Sequence, residues 1–255
     1  MPEHALLAPP MLFQLAPPYD RFDGVPDPDA LTPAALPDAA LLAIGVTSPE
    51  ETWSEVASLV PRLRARFPAA PLVLRIGPRA GTGDLEWVRR AGALRVRAVL
   101  FDDEPPRPAL RRALTDATTL PDDVEQWITV RVPGLAPDVT RLAGEIVRLA
   151  PRFEGVGPLL DSLGHAERTV RTWFRRAGVP GPGKWLAVAH ALRAVLRMQA
   201  EDGASLLALA VEGGYSDHSS LSRQCLRLFG VRPGTIRRTL GWEWLLDRWL
   251  RRAAG

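Results

Sequence analysis

The sequence predicts two domains: an α/β N-terminal domain on a parallel sheet over residues 1–136, and an all-α C-terminal domain over 137–255. The second domain is expected to hold two helix–turn–helix units joined by a long linker helix, with an extra C-terminal helix. Three observations carry this reading. Short apolar runs alternate with amphipathic stretches in the first half. Proline and glycine interrupt the chain at Val132-Pro133-Gly134-Leu135-Ala136-Pro137. Beyond that break no strand signal appears, and one helix–glycine–helix plan occurs twice.

The first half is read in order. Ala40–Val46 (ALLAIGV) is a short apolar run of the kind found in buried strands. Ser48-Pro49-Glu50-Glu51 follows as a helix start, because serine caps, proline fits the first turn and glutamates favour the positive helix end. That helix is expected to reach Phe67. Pro71–Ile76 is the next strand, and the glycines from Gly77 to Gly81 mark a turn. Asp84–Ala91 reads as helix, Val96–Phe101 as strand and Pro108–Thr118 as helix. Strands alternating with helices at this spacing imply a parallel sheet. Trp127–Val132 (WITVRV) is expected as a further edge strand, and the proline-rich residues 1–39 resist assignment.

The second half reads as helices over Asp138–Leu149, Val156–Leu163, Ala166–Ala177, Lys184–Ala200, Ser205–Glu212, Asp217–Phe229, Pro233–Leu240 and Trp242–Arg252. Glycine punctuates two of the joints. Pro158–Gly164 leads into His165–Arg176, and Ser205–Tyr215 leads into Ser216–Phe229. In a helix–turn–helix the first helix braces a second one whose N-terminal half enters the major groove.

Charge separates the halves. Residues 1–137 carry 14 basic and 18 acidic side chains, a net −4, whereas 138–255 carry 18 and 11, a net +7. A basic half beside an acidic half suits a chain that meets a polyanion through one half only. Helical periodicity then sorts the faces. Leu221, Cys225 and Phe229 recur every four residues and are expected in the core, as are Val170, Trp173 and Phe174. Asp217 is placed to cap its helix. The exposed faces are Arg168, Thr169, Arg171, Thr172 and Arg175 on the first helix, and His218, Ser219, Ser220, Ser222, Arg223 and Arg227 on the second. Arginine pairs bidentately with guanine or clamps phosphate, and serine and threonine are permissive partners. Arg175, Arg227 and Arg237 suit phosphate better than bases. These twelve residues are the expected DNA contacts, and the competing reading is a helical bundle with charged faces.

Leu209-Ala210-x3-Gly214-Tyr215-x-Asp217-x-Ser219-x-Leu221-Ser222-Arg223-x-Cys225-x-Arg227-x-Phe229-Gly230-x2-Pro233-x2-Ile236-Arg237 resembles the signature of the AraC/XylS family of transcription regulators. Phenylalanine is usual where Leu221 and Cys225 stand, and tyrosine where Ile236 stands. These are apolar exchanges at core positions. Gly164-x3-Arg168-x-Val170-x3-Phe174-Arg175-Arg176 is a weaker match to the first unit. The resemblance spans about Asp138–Arg238 and implies sequence-specific binding of double-stranded DNA in a bacterial-type cytoplasmic regulator. RNA polymerase is a candidate partner, as is a second copy of the chain through the N-terminal domain or the C-terminal helix. The linker helix, at ~1.5 Å per residue, spans roughly 26 Å, which with the helix widths suits adjacent groove faces ~34 Å apart.

The stretch Arg64–Arg75 and the sequence Arg90-Ala-Gly-Ala before Val96–Phe101 resemble parts of a response-regulator receiver domain. Its chemistry is missing. Ile44, Gly45 and Val46 stand where the phosphoacceptor strand should end in a carboxylate, and Phe101 or Asp102 stands where a lysine is expected. The chain before Ala40 is also short for a full first strand, helix and second strand. The resemblance therefore implies a degenerate domain that is not phosphorylated by the usual route. The alternative function is a protein-interaction module in which this domain docks a partner.

Other signals favour plain structure. Asp102-Asp103-Glu104 mimics a receiver's acidic metal cluster only in a different register. Gly77-x3-Gly81-x-Gly83 lacks the lysine and hydroxyl of a phosphate loop. His190 reads as a solvated or satisfied histidine, and Cys225, the single cysteine, as a small buried hydrophobe. Trp242, Trp244 and Trp249 are expected to pack the tail onto the bundle or to bury a dimer contact. No metal spacing, nucleophile–base pair or cofactor fingerprint is present, so neither enzyme nor cofactor is expected. No apolar run reaches the ~18 residues of a membrane span, and the N-terminus lacks the basic flank of a signal peptide.

Overall fold

The computed structural model describes residues 11–46, 49–77, 83–201 and 203–254. The expected cap at Ser48 and most of the Gly77–Gly83 turn lie outside these residues. The chain divides into two compact units, Met1–Leu114 and Thr115–Gly255.

Among the described residues, the first unit is a five-stranded sheet with three helices. Its strands are β1 (Met11–Leu15), β2 (Asp23–Val25), β3 (Leu41–Val46), β4 (Leu72–Ile76) and β5 (Ala98–Phe101), in the order β2-β1-β3-β4-β5. The helices are α1 (Pro49–Arg66), α2 (Gly83–Leu94) and α3 (Pro106–Leu114). β3, β4 and β5 run parallel, with Leu42 opposite Leu72 and Val73 opposite Ala98. β1 is antiparallel to both β2 and β3. The sheet is therefore mixed, which corrects the expected parallel sheet. The difference arises in residues 1–39, where periodicity is broken by proline and β1 gains its order from pairing with β3.

One face of this sheet packs against α1 and α2. Val56, Val60, Leu63 and Phe67 fall on one stripe of α1 and its end, and Trp87 and Ala91 on one stripe of α2; all pack on Leu42, Ile44, Leu72, Leu74 and Ile76. Arg64 donates to the carbonyls of Leu94 (3.2 Å) and Arg95 (3.0 Å), satisfying the free end of α2.

The second unit is helical: α4 (Leu120–Arg131), α5 (Pro137–Leu149), a 3₁₀ turn at Ala150–Arg152, α6 (Val156–Ser162), α7 (Glu167–Arg176), α8 (Pro182–Ala200), α9 (Leu206–Glu212), α10 (His218–Phe229), α11 (Pro233–Ile236) and α12 (Glu243–Ala254). The expected strand at Trp127–Val132 is instead the end of α4. Pro121 starts that helix with Asp122 and Asp123 in its first turn, and Val124, Trp127 and Ile128 are buried at helical spacing. The β-branched run read as an edge strand is overridden by packing of α4 on α5. The Pro133–Pro137 break thus joins two packed helices inside the second unit. α8 is the hub. Trp185, Val188, Ala189, Leu192, Val195 and Leu196 are among its buried residues, and α5, α6, α7, α9, α10 and α11 all contact it.

Candidate nucleic-acid interface

Two turns in the second unit share one hydrogen-bonding pattern. In the first, Gly164 N donates to Asp161 O (3.0 Å) and His165 N to Leu160 O (2.9 Å). In the second, Gly214 N donates to Val211 O (3.0 Å) and Tyr215 N to Ala210 O (2.9 Å). Gly164 has φ +73° and Gly214 φ +79°, the left-handed region where a side chain is strained. These bonds take up the orphan carbonyls that end α6 and α9 and reverse the chain into α7 and α10.

The helices that follow bury the expected stripes, with one exception. Leu221, Cys225 and Phe229 are fully buried on α10. On α7 Val170 and Phe174 are fully buried, but Trp173 is only half-buried. It packs edge-on against His165, with centroids 5.6 Å apart, and lines a cleft with residues that include Val132, Leu135 and Val139. Trp173 directly precedes Phe174 and so lies off the axis of the stripe that Val170 and Phe174 define.

On α7, Arg168, Arg171, Thr172 and Arg175 line one concave surface of about 570 Å³ together with Glu167. Thr169 is exposed beside them. Glu167 pairs with Arg171 at 2.5 Å, and Thr172 donates its hydroxyl to Arg168 O at 3.0 Å. Three arginines on one face, with a single carboxylate at the N-terminal end, make this surface strongly basic.

On α10 the cap forms as the sequence implies. Asp217 accepts from Ser220 N at 2.8 Å. The backbone bond from Ser220, aided by Ser216 and Ser219, holds its carboxyl below the usual range. Ser220 also donates to Asp217 through its hydroxyl and accepts from Arg223 at 3.1 Å. Ser222 donates to His218 O at 2.8 Å. His218, Ser219 and Arg223 remain the exposed groups at the N-terminal half of α10. Arg227 is exposed one turn further on and donates to Gln224. Arg237 stands apart from this set. Its guanidinium is half-buried and donates to Ala204 O at 2.6 Å, joining the end of α11 to the segment before α9.

The remaining sequence candidates are structural. Cys225 is fully buried, and desolvation pushes its thiol up to about 12. His190 sits partly buried with Nε2 3.1 Å from Phe153 O. Asp102 accepts from Arg75 Nε at 2.6 Å in the first unit. Trp242, Trp244 and Trp249 are buried. Trp249 meets Trp185 edge-on at 4.8 Å, which seats α12 on α8. Among the described residues no group of three or more His, Cys, Asp or Glu is placed to hold a metal ion. Among them, too, no helix is long and apolar enough to cross a membrane.

The sequence reading missed how the chain returns to this site. Arg248 of α12 donates from Nε to Phe229 O at 3.0 Å, and Arg252 and Lys184 share a cavity with Arg227. No motif marks these residues, because they meet only through the packing of α12.

Residues 159–239 match a family model described as a helix-turn-helix domain. This segment is a helix–turn–helix domain. The match runs from α6 through α11 and includes both glycine turns, so the DNA-binding character of the second unit rests on the whole arrangement just described. No curated protein matches the chain. Among solved structures, the transcriptional regulator CdpR from Pseudomonas aeruginosa is similar at 16% identity, over 78% of this chain and 68% of that one, with a TM-score of 0.35.

Proposed function

We propose that this chain is a sequence-specific regulator of transcription that binds double-stranded DNA and reads two adjacent major-groove segments. The observation that carries the reading is the matched pair of glycine turns, each delivering a helix with a buried stripe and an exposed basic face. α8 lies between them as a spacer of 19 residues, roughly 28 Å at ~1.5 Å per residue. Arg168, Thr169, Arg171 and Thr172 in one helix, and His218, Ser219 and Arg223 in the other, are the groups for base edges. Arg175 and Arg227 serve phosphates. Ser220 and Ser222 shape the N-terminal turn of α10 and reach DNA as secondary contacts. Arg237 acts on the interface mainly by holding α11 in place.

The first unit is read as the partner-docking or dimerising part of a cytoplasmic regulator, with RNA polymerase a further partner of the assembly. Two features support a docking role. β3 carries no carboxylate, so receiver phosphorylation has no acceptor there, and Leu85 and Val88 are exposed apolar residues one turn apart on α2.

Duplex binding across genomic fragments tests the main reading. Affinity is expected to fall steeply with salt as neutralised phosphates release counterions. Arg171→Ala combined with Arg223→Ala is expected to abolish sequence preference. Absence of binding at low salt, or binding unchanged in the double variant, sinks it.

A further inference from the structure

We propose that Lys184, Arg227 and Arg252 form a phosphate-binding site at the N-terminal end of α8, beside the C-terminal half of α10. The three cations line one cavity of about 400 Å³ whose apolar wall includes Leu228 and Trp249. They come from three helices: Lys184 from the first turn of α8, Arg227 from α10 and Arg252 from the last turn of α12. No carboxylate lines the cavity among the described residues. Like charges gathered around one hollow repel each other, and an anion in the hollow removes that cost.

The helix end adds to the same field. α8 is 19 residues long, with Gly181 as an N-cap that offers no side chain and Pro182 in its first turn. Its partial positive charge therefore has no side-chain acceptor of its own. Gly183 lines the cavity as well, so backbone is open to close approach by a ligand. Lysine supplies a point charge, while the two arginines supply forked donors that fit the oxygens of a phosphate.

The phosphate belongs either to the DNA backbone flanking the groove read by α10 or to a free phosphate-bearing molecule. The first source rests on the DNA-binding reading above, and the second does not. Two measurements separate them. In duplex binding over a salt series, Lys184→Gln with Arg252→Gln is expected to lower the slope of log affinity against log salt by about 1, equally for all sequences. Arg252→Lys keeps the charge and is expected to restore the slope. Gly183→Asp is the second variant. A Cβ there meets only Val156 Cγ1 at 3.7 Å, and an acidic residue in the first turn favours the helix, so the fold is kept while a carboxylate is placed next to Lys184.

In thermal unfolding, inorganic phosphate is compared with chloride at equal ionic strength. A phosphate-induced rise in Tm that disappears in Lys184→Gln/Arg252→Gln and in Gly183→Asp, with the DNA slope unchanged, assigns the site to a free phosphate-bearing ligand. A changed slope assigns it to the DNA backbone. If the native chain binds no duplex, the regulator reading fails and the phosphate-dependent Tm still decides the site. An unchanged slope together with no variant-sensitive Tm shift overturns the proposal.

Discussion

Arg248 Nε donates to the carbonyl of Phe229, the last residue of α10, at 3.0 Å. The final carbonyls of a helix have no partners within it, so this bond closes α10 from outside. Arg248 also lies over the Trp244 ring at 5.1 Å, and its neighbour Trp249 packs on Trp185. Trp242, just before α12, meets Trp127 of α4 edge-on at 6.1 Å. α12 therefore fastens three helices of the second unit, one of which, α10, carries the exposed His218, Ser219 and Arg223.

Removing that closure should loosen α10 without removing a phosphate contact. Arg248→Met is expected to cost about 1–2 kcal/mol in urea unfolding, in line with a hydrogen bond from a charged group. Duplex affinity should fall while its salt slope stays constant. Unfolding identical to that of the native chain would show that α12 does not brace α10.

A second link holds the other side of α12. Asp247, 5% exposed, accepts from Arg131 Nε at 2.7 Å and pairs with Arg251 at 2.7 Å. Arg131 is 32% exposed and Arg251 60%. Asp247→Ala should cost about 2–4 kcal/mol, because it strands the half-buried Arg131. Arg251→Ala should cost about 0–1 kcal/mol, as an exposed pair does. Chemical denaturation of both variants gives the ranking.

His190 makes stability depend on pH near neutrality. Desolvation lowers its affinity for a proton, and only in part does the Phe153 carbonyl oppose this. The folded value lies below the unfolded value of ~6.5, so the unfolded chain takes up the proton first. Its contribution is present above pH ~6.5 and is lost as pH falls through the folded value. Tm measured from pH 7.5 to 5 should decline, and His190→Gln should flatten that decline.

Asp217 acts lower on the scale. Its folded value is depressed, so the cap contributes above the ordinary carboxylate range and is lost as pH falls through the folded value, below ~4. Asp217→Ala should lower Tm by ~2–5 °C at pH 7 and weaken duplex binding. The Tm difference between the two proteins should shrink in acid. An equal gap at pH 7 and pH 3 would contradict the capping role.

Two helical glycines should respond in opposite directions to alanine. A Cβ at Gly144 of α5 would stand 3.2 Å from Glu125 Cβ and 3.3 Å from Pro121 O, both anchored in α4. Gly144→Ala is expected to destabilise by about 1 kcal/mol, overpacking outweighing helix propensity, and Gly144→Val by more. A Cβ at Gly92 of α2 meets nothing within 4 Å. Gly92→Ala should stabilise by about 0.5–1 kcal/mol. Urea midpoints of the two variants should move apart.

Local physics made much of the DNA-binding half readable. The Leu221/Cys225/Phe229 stripe, the Asp217 cap and the Gly164 and Gly214 turns each depend on residues within one or two helical turns. Where neighbours in space decide, the reading failed. Trp127 and Ile128 look like strand residues in isolation and became helical against α5. Met11–Leu15 carried no clear signal and became a strand by pairing with β3. Trp173 looked like core and ended half-buried. Arg237, read as a phosphate contact, also donates to Ala204 O, a bond that its sequence neighbours do not reveal.

The sequence by itself determined two helices with buried stripes and basic exposed faces, and the glycines and cap that launch them, because periodicity, φ and capping are local properties. Only the tertiary structure decided that a basic helix at the far end of the chain closes α10 and joins Lys184 and Arg227 around one cavity. Contacts between residues dozens of positions apart leave no periodic trace, and they exist only once α12 has packed against α8.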